Sequence, residues 1–455
     1  MAASSDVPDT ATAYTAVTAP GAWPLLGHAP RLMRDPLGFL TGLPAHGDIV
    51  DITIGAMRVS VVCHPELVHQ MLLSDKDFDK GGPFFERVRA FTGNGVGTCP
   101  RADHRRQRRL VQPAFHPARF PGYAEVMVEQ TVRETADWAD GHILDVRRAM
   151  ARLTSRVLTQ CLFSTRESDT TTSEFIDSVD ELMSLMIPRM LTPVALDWIP
   201  LRSKRRFAQA SRRVRALSAR IIADRRQAGT DRGDALSALL AARDEDGSAL
   251  SDDELVDQIT TLYIAGAETS ANLLAWVFHI LAGHPDVEQR LHTEVDTVLG
   301  ARAATADDLP RLAYTRQIID ETLRKYPIGW VFTRAATTDT TLGGCRIPAG
   351  RTIVYSPYMV HHQPGAHPEP ERFDPDRWAG RPRPARGTYI PFSEGARKCM
   401  GDTFALTEAT LALSTIAAGW KMKPVSHRPI RPRIRISLVP NSPLLRLERR
   451  HGTHH

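Results

Sequence analysis

The sequence has few cysteines, and their positions exclude a disulfide-stabilised fold. No two of them form a C-x-x-C pair, and the 455 residues contain only five: Cys63, Cys99, Cys161, Cys345 and Cys399. An odd, scattered set of this kind is typical of a reducing compartment, where thiols stay free. The sequence therefore predicts a cytoplasmic protein without a disulfide framework.

Long apolar runs, lysine-rich tracts and aromatic residues are also scarce. Residues 1–20 are rich in Ala, Thr, Ser and Asp and have neither a basic start nor an apolar run. This argues against a signal peptide or a membrane anchor. Aromatic residues make up 7% of the chain, and the net charge of +5 comes without a lysine-rich tract. Such a composition argues against nucleic-acid binding and weakly for an acidic protein partner.

Helical periodicity covers most of the chain. With 42% hydrophobic and 24% charged residues, the composition is that of a soluble globular protein. The spacing of apolar residues predicts helices over nine spans: 101–113, 120–140, 145–163, 173–190, 203–228, 233–243, 251–283, 285–299 and 313–326. We expect a single unit over residues 20–447, preceded by a disordered segment (1–19) and followed by a tail (448–455).

The predicted β structure is small. Residues 49–54 and 58–63 have the pattern of a hairpin, and short β-like runs lie between 333 and 358. Residues 76–100 are rich in glycine and are predicted to form a long irregular loop, which in a compact enzyme is usually functional. The predicted fold class is therefore mainly α with small β portions.

One stretch places a cysteine in an unusual setting. Cys399 follows Phe392 by seven residues and Gly395 by four, while Arg397 precedes it by two and Gly401 follows by two. Positive charge and N–H donors stabilise the thiolate, the form of cysteine that binds metals. Arg397 supplies charge, and Gly401 lets the backbone come close. The pattern favours a metal-ligating cysteine over a buried thiol in a glycine-rich turn.

Residues 392–401 match the haem-ligand pattern F-x-x-G-x-R-x-C-x-G, and the chain resembles the cytochrome P450 monooxygenases. The resemblance implies a haem b cofactor with Cys399 thiolate as axial ligand and with Phe392, Gly395 and Arg397 beside it. It also implies a monomeric enzyme that uses O₂ to hydroxylate a C–H bond. Because the chain has no flavin domain, NAD(P)H would supply the electrons through a ferredoxin reductase and a ferredoxin.

A second pattern lies in the predicted helix 251–283. Gly266, Glu268 and Thr269 place a small residue, an acid and a hydroxyl in its apolar middle. Taken alone, Glu268 could face solvent and Thr269 could bond to a carbonyl one turn earlier. The resemblance implies instead that Gly266 leaves space for dioxygen, that Thr269 hydrogen-bonds to it, and that Glu268 relays protons.

Four basic residues match the propionate ligands of the family. His104 and Arg108 share one helix face because they lie four residues apart. Taken alone, this basic helix could be a solvated face or a phosphate-binding patch. The resemblance implies that His104, Arg108, Arg334 and Arg397 hold the dianionic haem propionates through charge-assisted hydrogen bonds.

Glu321 and Arg324 lie three residues apart on the predicted helix 313–326. On a surface, such a pair would contribute only about 0.2–0.5 kcal/mol. In the family, an E-x-x-R pair joins an arginine from a P-E-R-F-like stretch, which here contains Arg372. The resemblance implies that Glu321, Arg324 and Arg372 form a buried structural network that positions the cysteine loop.

The substrate pocket implied by the resemblance is apolar. Its predicted lining comes from several separate segments: Phe84, Phe85, Met186, Met190, Ala265, Trp330, Val331, Phe332 and Leu444. About half of these residues could equally be ordinary core. On balance, the lining predicts a hydrophobic small-molecule substrate.

Residues 104–116, 355–362 and 373–378 are most similar to actinomycete family members that oxidise terpene hydrocarbons in secondary metabolism, including antibiotic biosynthesis. A sesquiterpene hydrocarbon is the favoured substrate, and fatty-acid or macrolide hydroxylation stays open. A peroxide-driven peroxygenase and a non-enzymatic haem sensor or carrier are further alternatives. The intact Glu268–Thr269 pair argues against both.

Overall fold

The computed structural model describes residues 14–164, 170–191, 202–380, 384–426, 431–441 and 444–450. The helices in these ranges are α1 (Ala29–Arg34), α2 (Pro36–Gly42), α3 (Pro65–Leu73), α4 (Gly82–Thr92), α5 (Arg101–Val111), α6 (Phe120–Thr135), α7 (Val146–Phe163), α8 (Thr170–Leu191), α9 (Arg202–Ala228), α10 (Ala235–Ala241), α11 (Asp252–Gly283), α12 (Pro285–Leu299), α13 (Ala313–Lys325), α14 (Pro357–His361) and α15 (Asp402–Gly419). The strands are β1 (Ala16–Thr18), β2 (Ile49–Ile54), β3 (Met57–Val62), β4 (Phe78–Asp79), β5 (Ile143–Asp145), β6 (Phe332–Ala336), β7 (Thr340–Leu342), β8 (Cys345–Ile347), β9 (Thr352–Tyr355), β10 (Trp420–Pro424), β11 (Pro432–Ile434), β12 (Leu438–Pro440) and β13 (Leu444–Arg449).

Helix α11 lies at the centre of the helical core. It begins in a capping box, in which the Ser251 hydroxyl accepts from the Glu254 N–H (3.2 Å) and the Glu254 carboxylate accepts from the Ser251 N–H (2.8 Å). Helices α7, α9, α13 and α15 pack around it. Most of its apolar residues are buried because these elements cover most of its surface. The predicted helix over 251–283 is confirmed to within one residue.

Helix α11 is also the one helix within the described ranges that is long and apolar enough to cross a membrane. In its most apolar 18-residue window, 67% of the residues are buried inside the protein. This burial is typical of the core helix of a globular protein.

The largest sheet in the described residues has six strands, in the order β1-β2-β3-β9-β6-β4. Strands β2 and β3 form the predicted antiparallel hairpin, with Ile49 opposite Val62, and β9 runs parallel to β3. A second sheet has the order β10-β13-β5, and two pairs, β7–β8 and β11–β12, complete the described β structure. The prediction of a mainly α fold with small β portions is confirmed.

The glycine-rich segment 76–100 differs from its predicted irregular loop, because it contains β4 and the 11-residue helix α4. Pro83 lies in the first turn of α4, where a missing N–H is tolerated. Phe85 is buried, and Val88 packs against the main core. These apolar contacts stabilise the helix, although the glycine content of the segment predicts a loop.

Candidate active site

The loop before α15 holds Cys399 in a defined conformation. The Cys399 N–H donates to the Phe392 carbonyl (2.9 Å), and Gly395 has a φ of +71°. A Cβ atom at Gly395 would lie 2.2 Å from the Leu72 carbonyl oxygen, so only glycine fits. All five cysteines lie in the described residues, and only Cys399 is exposed. The fold therefore leaves this thiol the most accessible of the five, with Cys345 half-buried.

The groups around Cys399 shift the pKa of its thiol in opposite directions. Burial among protein atoms raises the pKa of the thiol above its usual value, although the side chain stays open to solvent. The N–H of Gly401 opposes this rise, as do the charges of Lys80 and Arg108. The protein alone therefore does not hold the sulfur as a thiolate. A bound metal ion would, because coordination deprotonates a thiol.

Two buried arginines lie in the same region. Arg397 donates from Nη2 to the Asp79 carboxylate (2.6 Å) and from Nη1 to the Cys99 carbonyl (2.9 Å). Its Nε is buried and has no hydrogen-bond partner in the described part of the chain. Arg334 is also buried, and its guanidinium lies 5.4 Å from the centre of the Tyr355 ring.

Two more basic groups are perturbed by these arginines. Burial, followed by the charges of Arg334 and Arg397, lowers the pKa of Lys80 to about 7. Its Nζ donates to the Gly97 carbonyl (2.6 Å). Burial, followed by the charges of Arg397 and Lys80, lowers the pKa of His104 to about 3. Each positive charge in this cluster therefore disfavours the others.

The cluster of Lys80, His104, Arg334 and Arg397 is short of negative charge. Among the described residues, Asp79 is the one acid that forms an ion pair with any member. A dianionic ligand would restore the balance through charge-assisted hydrogen bonds, and the Nε of Arg397 is a free donor for it. The residues present thus fit haem propionates, as Cys399 fits haem iron. Sequence reasoning missed Lys80, because a single lysine carries no pattern.

Arg108 joins α5 to the cysteine loop. Its Nη1 donates to the carbonyls of Ala396 (3.1 Å) and Lys398 (2.8 Å), on either side of Arg397. Burial lowers the pKa of Arg108. The guanidinium therefore supports the backbone around Cys399 directly, a contact that the sequence pattern did not predict.

Ala265 and Thr269 are exposed in the middle of the otherwise buried helix α11. They lie one turn apart and so face the same solvent-accessible space. The Thr269 hydroxyl donates to the Ala265 carbonyl (2.6 Å), which is the back-bond expected of a threonine taken alone. Gly266 faces elsewhere, since a Cβ there would lie 2.9 Å from Cδ2 of Leu158 in α7. This glycine therefore allows close helix packing, and Ala265 borders the open side; the space for dioxygen beside Gly266 stays a prediction.

A serine holds the carboxylate of Glu268. Glu268 Oε1 accepts from the Ser437 hydroxyl (3.0 Å), which in turn accepts from Asn272 (2.9 Å). Ser437 is buried in the turn between β11 and β12. The sequence predicted a pocket-lining turn at Leu444, but Leu444 is 43% exposed and pairs with Asp145 at the start of β13. Within the described residues, the β11–β12 turn contacts α11 through Ser437, and the lining role of Leu444 stays a prediction.

The other predicted lining residues differ in their surroundings. Phe85 is buried, and Phe332 stacks on Tyr355 with ring centres 5.5 Å apart. Trp330 and Val331 pack against the apolar cluster between β2, β3 and α2. Phe332 thus shares a ring partner with Arg334 of the cation cluster. Three predicted lining side chains lie outside those that the structure describes: Phe84, Met186 and Met190.

Glu321 and Arg324 form a fully buried pair. The Arg324 Nε and Nη2 atoms donate to the two Glu321 oxygens at 2.9 and 3.0 Å, and both side chains are 0% exposed. The Glu321 carboxylate also accepts from the Trp378 indole (3.0 Å). The second arginine of the network is Arg377, whose Nε lies 3.5 Å from Glu321 Oε2. The prediction of Arg372 is wrong, since its carbonyl accepts from Arg324 while its side chain points to solvent.

A second buried carboxyl group lies on α15. Glu408 is hydrogen-bonded to Ser270 of α11, next to Thr269, and its Oε1 has no partner among the described residues. Burial raises the pKa of Glu408 from 4.5 to about 8, and the bond to Ser270 opposes this only in part. The folded protein therefore keeps a proton there at neutral pH.

We expect Glu408 to make the stability pH-dependent. The carboxyl group of Glu408 has a pKa near 4.5 in the unfolded chain and about 8 in the folded protein. At pH values between the two, only the folded state holds the proton. The free energy of unfolding should then fall by about 1.4 kcal/mol for each pH unit of rise in this window. Glu408→Gln should remove this slope in urea unfolding curves, whereas Glu129→Gln at an exposed position of α6 should keep it. An unchanged slope in Glu408→Gln would contradict the assignment.

The fold and the accessible thiol beside a cation cluster define a haem-thiolate protein. The family model for cytochrome P450 matches residues 18–447, and the chain belongs to this family. It is accordingly a monooxygenase, an oxidoreductase that binds haem iron through a thiolate.

Named relatives cover nearly all of the chain. It is 45% identical to cyclooctatin synthase of Streptomyces melanosporofaciens over 426 residues, which cover 92% of this chain and 93% of the relative. It is 42% identical to pentalenene oxygenase of Streptomyces avermitilis over 421 residues, which cover 92% and 94%. The crystal structure of the cytochrome P450DA haem domain matches with a TM-score of 0.87 at 27% identity and covers 96% of this chain and 99% of that one.

Proposed function

We propose that this monooxygenase oxidises a cyclic terpene in secondary metabolism, either a hydrocarbon or its first alcohol. The similarity to enzymes named for such compounds carries the proposal. Besides pentalenene oxygenase, a cyclooctat-9-en-7-ol 5-monooxygenase of Streptomyces melanosporofaciens is 43% identical over 416 residues, which cover 90% of each chain. The names pentalenene and cyclooctat-9-en-7-ol describe apolar ring compounds with at most one hydroxyl group. The apolar residues beside the site, such as Phe85, Phe332 and Ala265, suit a ligand of this kind.

We assign the cofactor contacts as follows. Cys399 binds the haem iron, and Lys80, His104, Arg334 and Arg397 face the propionates, since Asp79 is the one acid paired with this cluster in the described residues. When bound, the haem would activate O₂ with two electrons from the redox partner. Lys80 and His104 gain a negative partner on haem binding, so the pKa of each should rise from its depressed value.

In this proposal, Thr269 and Glu268 of α11 transfer protons beside the substrate. The Thr269 hydroxyl becomes a donor to that space if it rotates away from the Ala265 carbonyl. Glu268 is the neighbouring acid, and the bond from Ser437 fixes its direction. A hydroxyl backed by a carboxylate is an arrangement that transfers protons.

In the proposed electron route, NAD(P)H reduces a ferredoxin reductase, which reduces a ferredoxin, which passes electrons to this enzyme. The enzyme is proposed to be a monomer in the cytoplasm. An acidic carrier would need basic side chains near the cysteine loop. Arg106 and Arg109 are paired with Asp244, and Lys398 is paired with Asp402. These charges are partly neutralised, so the docking surface is less basic than the sequence alone indicates.

A spectral titration of the ferric enzyme tests the substrate class. We expect pentalenene, a sesquiterpene hydrocarbon, to shift the haem from low to high spin, and a long-chain fatty acid and a macrolide to leave it unchanged. Ala265→Leu should weaken the terpene response by about tenfold or more, since it fills the open side of α11. Ala301→Leu, at an exposed position, is the matched control. A shift with the fatty acid or the macrolide alone would refute the terpene assignment.

A further inference from the structure

Exposed apolar side chains are concentrated in one short segment. Nine large hydrophobic residues are exposed in the described part of the chain, and four of them lie within eleven residues: Trp23 (58%), Leu25 (95%), Leu26 (52%) and Met33 (83%). We call these four side chains the apolar tip. Scattered exposed hydrophobics are normal, but a cluster of this kind indicates a contact surface.

The apolar tip is held rigidly. Trp23 and Gly27 exchange two backbone hydrogen bonds of 2.8 Å each, and the Gly55 N–H of the β2–β3 turn donates to the Leu26 carbonyl (3.1 Å). Leu25 has a φ of +61°, a left-handed conformation that is unfavourable for leucine. The turn therefore fixes a leucine in solvent at a cost in free energy, although burial would be its usual preference.

The apolar surface continues from the turn onto α1. The Ala29 N–H donates to the Leu26 carbonyl (3.3 Å), so α1 starts directly on the turn. Met33 lies in α1, seven residues after Leu26, and its side chain is 83% exposed. Exposed apolar side chains thus lie both on the turn and on α1.

Exposed arginines lie on α1 and on the β2–β3 hairpin, the two elements that contact the turn. Arg31, Arg34 and Arg58 are exposed, and none of them forms an ion pair with a residue in the described ranges. Arg31 and Arg34 line a surface cavity of about 320 Å³ together with Phe39 and Asp35. The carboxylate of Asp35 is engaged as a helix cap. The surface therefore combines an apolar projection, a basic margin and a cavity large enough for a phosphate headgroup.

We propose that this surface docks peripherally on an anionic phospholipid bilayer. The apolar tip enters the headgroup region, and Arg31 and Arg34 bind lipid phosphates in the adjoining cavity. Its shape favours a bilayer over a protein partner, because Leu25 projects instead of lining a groove. An apolar substrate partitions into the same bilayer, so docking would place the enzyme where that substrate is concentrated.

Co-sedimentation of the full-length holoenzyme with vesicles tests the proposal. We expect binding to phosphatidylglycerol-containing vesicles at least about tenfold stronger than to pure phosphatidylcholine vesicles. Leu25→Asn with Leu26→Ser should reduce binding by about tenfold or more, and asparagine tolerates the left-handed conformation, so the turn should persist. Arg31→Gln with Arg34→Gln should remove the preference for the anionic lipid. Val132→Ser, at another exposed apolar position, is the matched control and should change nothing.

Three results would overturn the proposal. These are absence of binding by the unaltered protein, equal binding by the Leu25→Asn/Leu26→Ser variant, and a concentration-dependent dimer in light scattering that this variant abolishes. The last result would show that the apolar tip is an interface between two copies of the chain. None of these measurements requires turnover, so they are independent of the terpene assignment.

Discussion

Replacement of Cys399 by alanine is expected to remove the haem-thiolate absorption of the protein and to lower monooxygenase activity by more than about 100-fold. Substitution of groups that merely support a metal ligand already costs about 10–100-fold, and the axial thiolate directs the chemistry of the iron. Among the five cysteines, Cys399 is the most accessible. The carbon monoxide difference spectrum of the reduced protein and the rate of product formation measure the two effects.

Cys99 provides the sharpest control for this prediction. Its sulfur lies 3.9 Å from Nη1 of Arg397, so a second thiol borders the same cation cluster. Burial raises the pKa of Cys99, and the side chain is 0% exposed, so it offers no ligand position. Cys99→Ala should therefore keep the thiolate spectrum. A Cys99→Ala variant without this spectrum, alongside a Cys399→Ala variant that retains it, would reverse the assignment.

The long helices were predictable because periodicity is a property of the chain itself. The nine predicted spans correspond to α5–α13, and α12 agrees at both ends. Helix α4 was missed because Gly81, Gly82 and Gly93 surround a short apolar stretch, and its contacts with the core outweigh the low helix propensity of glycine. Secondary structure that depends on distant contacts leaves no local signal.

The direction of individual side chains was less predictable. A motif identifies Gly266 but does not show that its hydrogen faces Leu158 in α7. The contact between Ser437 and Glu268 joins residues 169 positions apart, and no period or spacing connects them. Three members of the basic cluster, His104, Arg334 and Arg397, were predicted because they belong to sequence motifs. Lys80 belongs to no motif and was missed. Pattern thus gives candidate residues, and packing decides which of them meet.

The choice between Arg372 and Arg377 leads to the second large effect. Glu321→Gln should lower the free energy of unfolding by about 3–5 kcal/mol, because it leaves the guanidinium of Arg324 buried without a negative partner. Both side chains are fully buried, so water cannot compensate. Urea unfolding measures the loss, and a reduced haem content of the purified protein should accompany it, since α13 and the segment before the cysteine loop meet at this pair.

Arg377→Ala and Arg372→Ala form a matched pair that separates network membership from proximity. The Arg377 side chain is 11% exposed and contacts Glu321, so its loss should cost about 1–3 kcal/mol. The Arg372 side chain is 64% exposed and faces Glu369, so its loss should stay within about 0.5 kcal/mol. The Arg372 carbonyl that accepts from Arg324 survives the substitution to alanine. Equal losses in the two variants would show that the network extends to Arg372 and that the sequence motif, rather than the contact geometry, identifies its members.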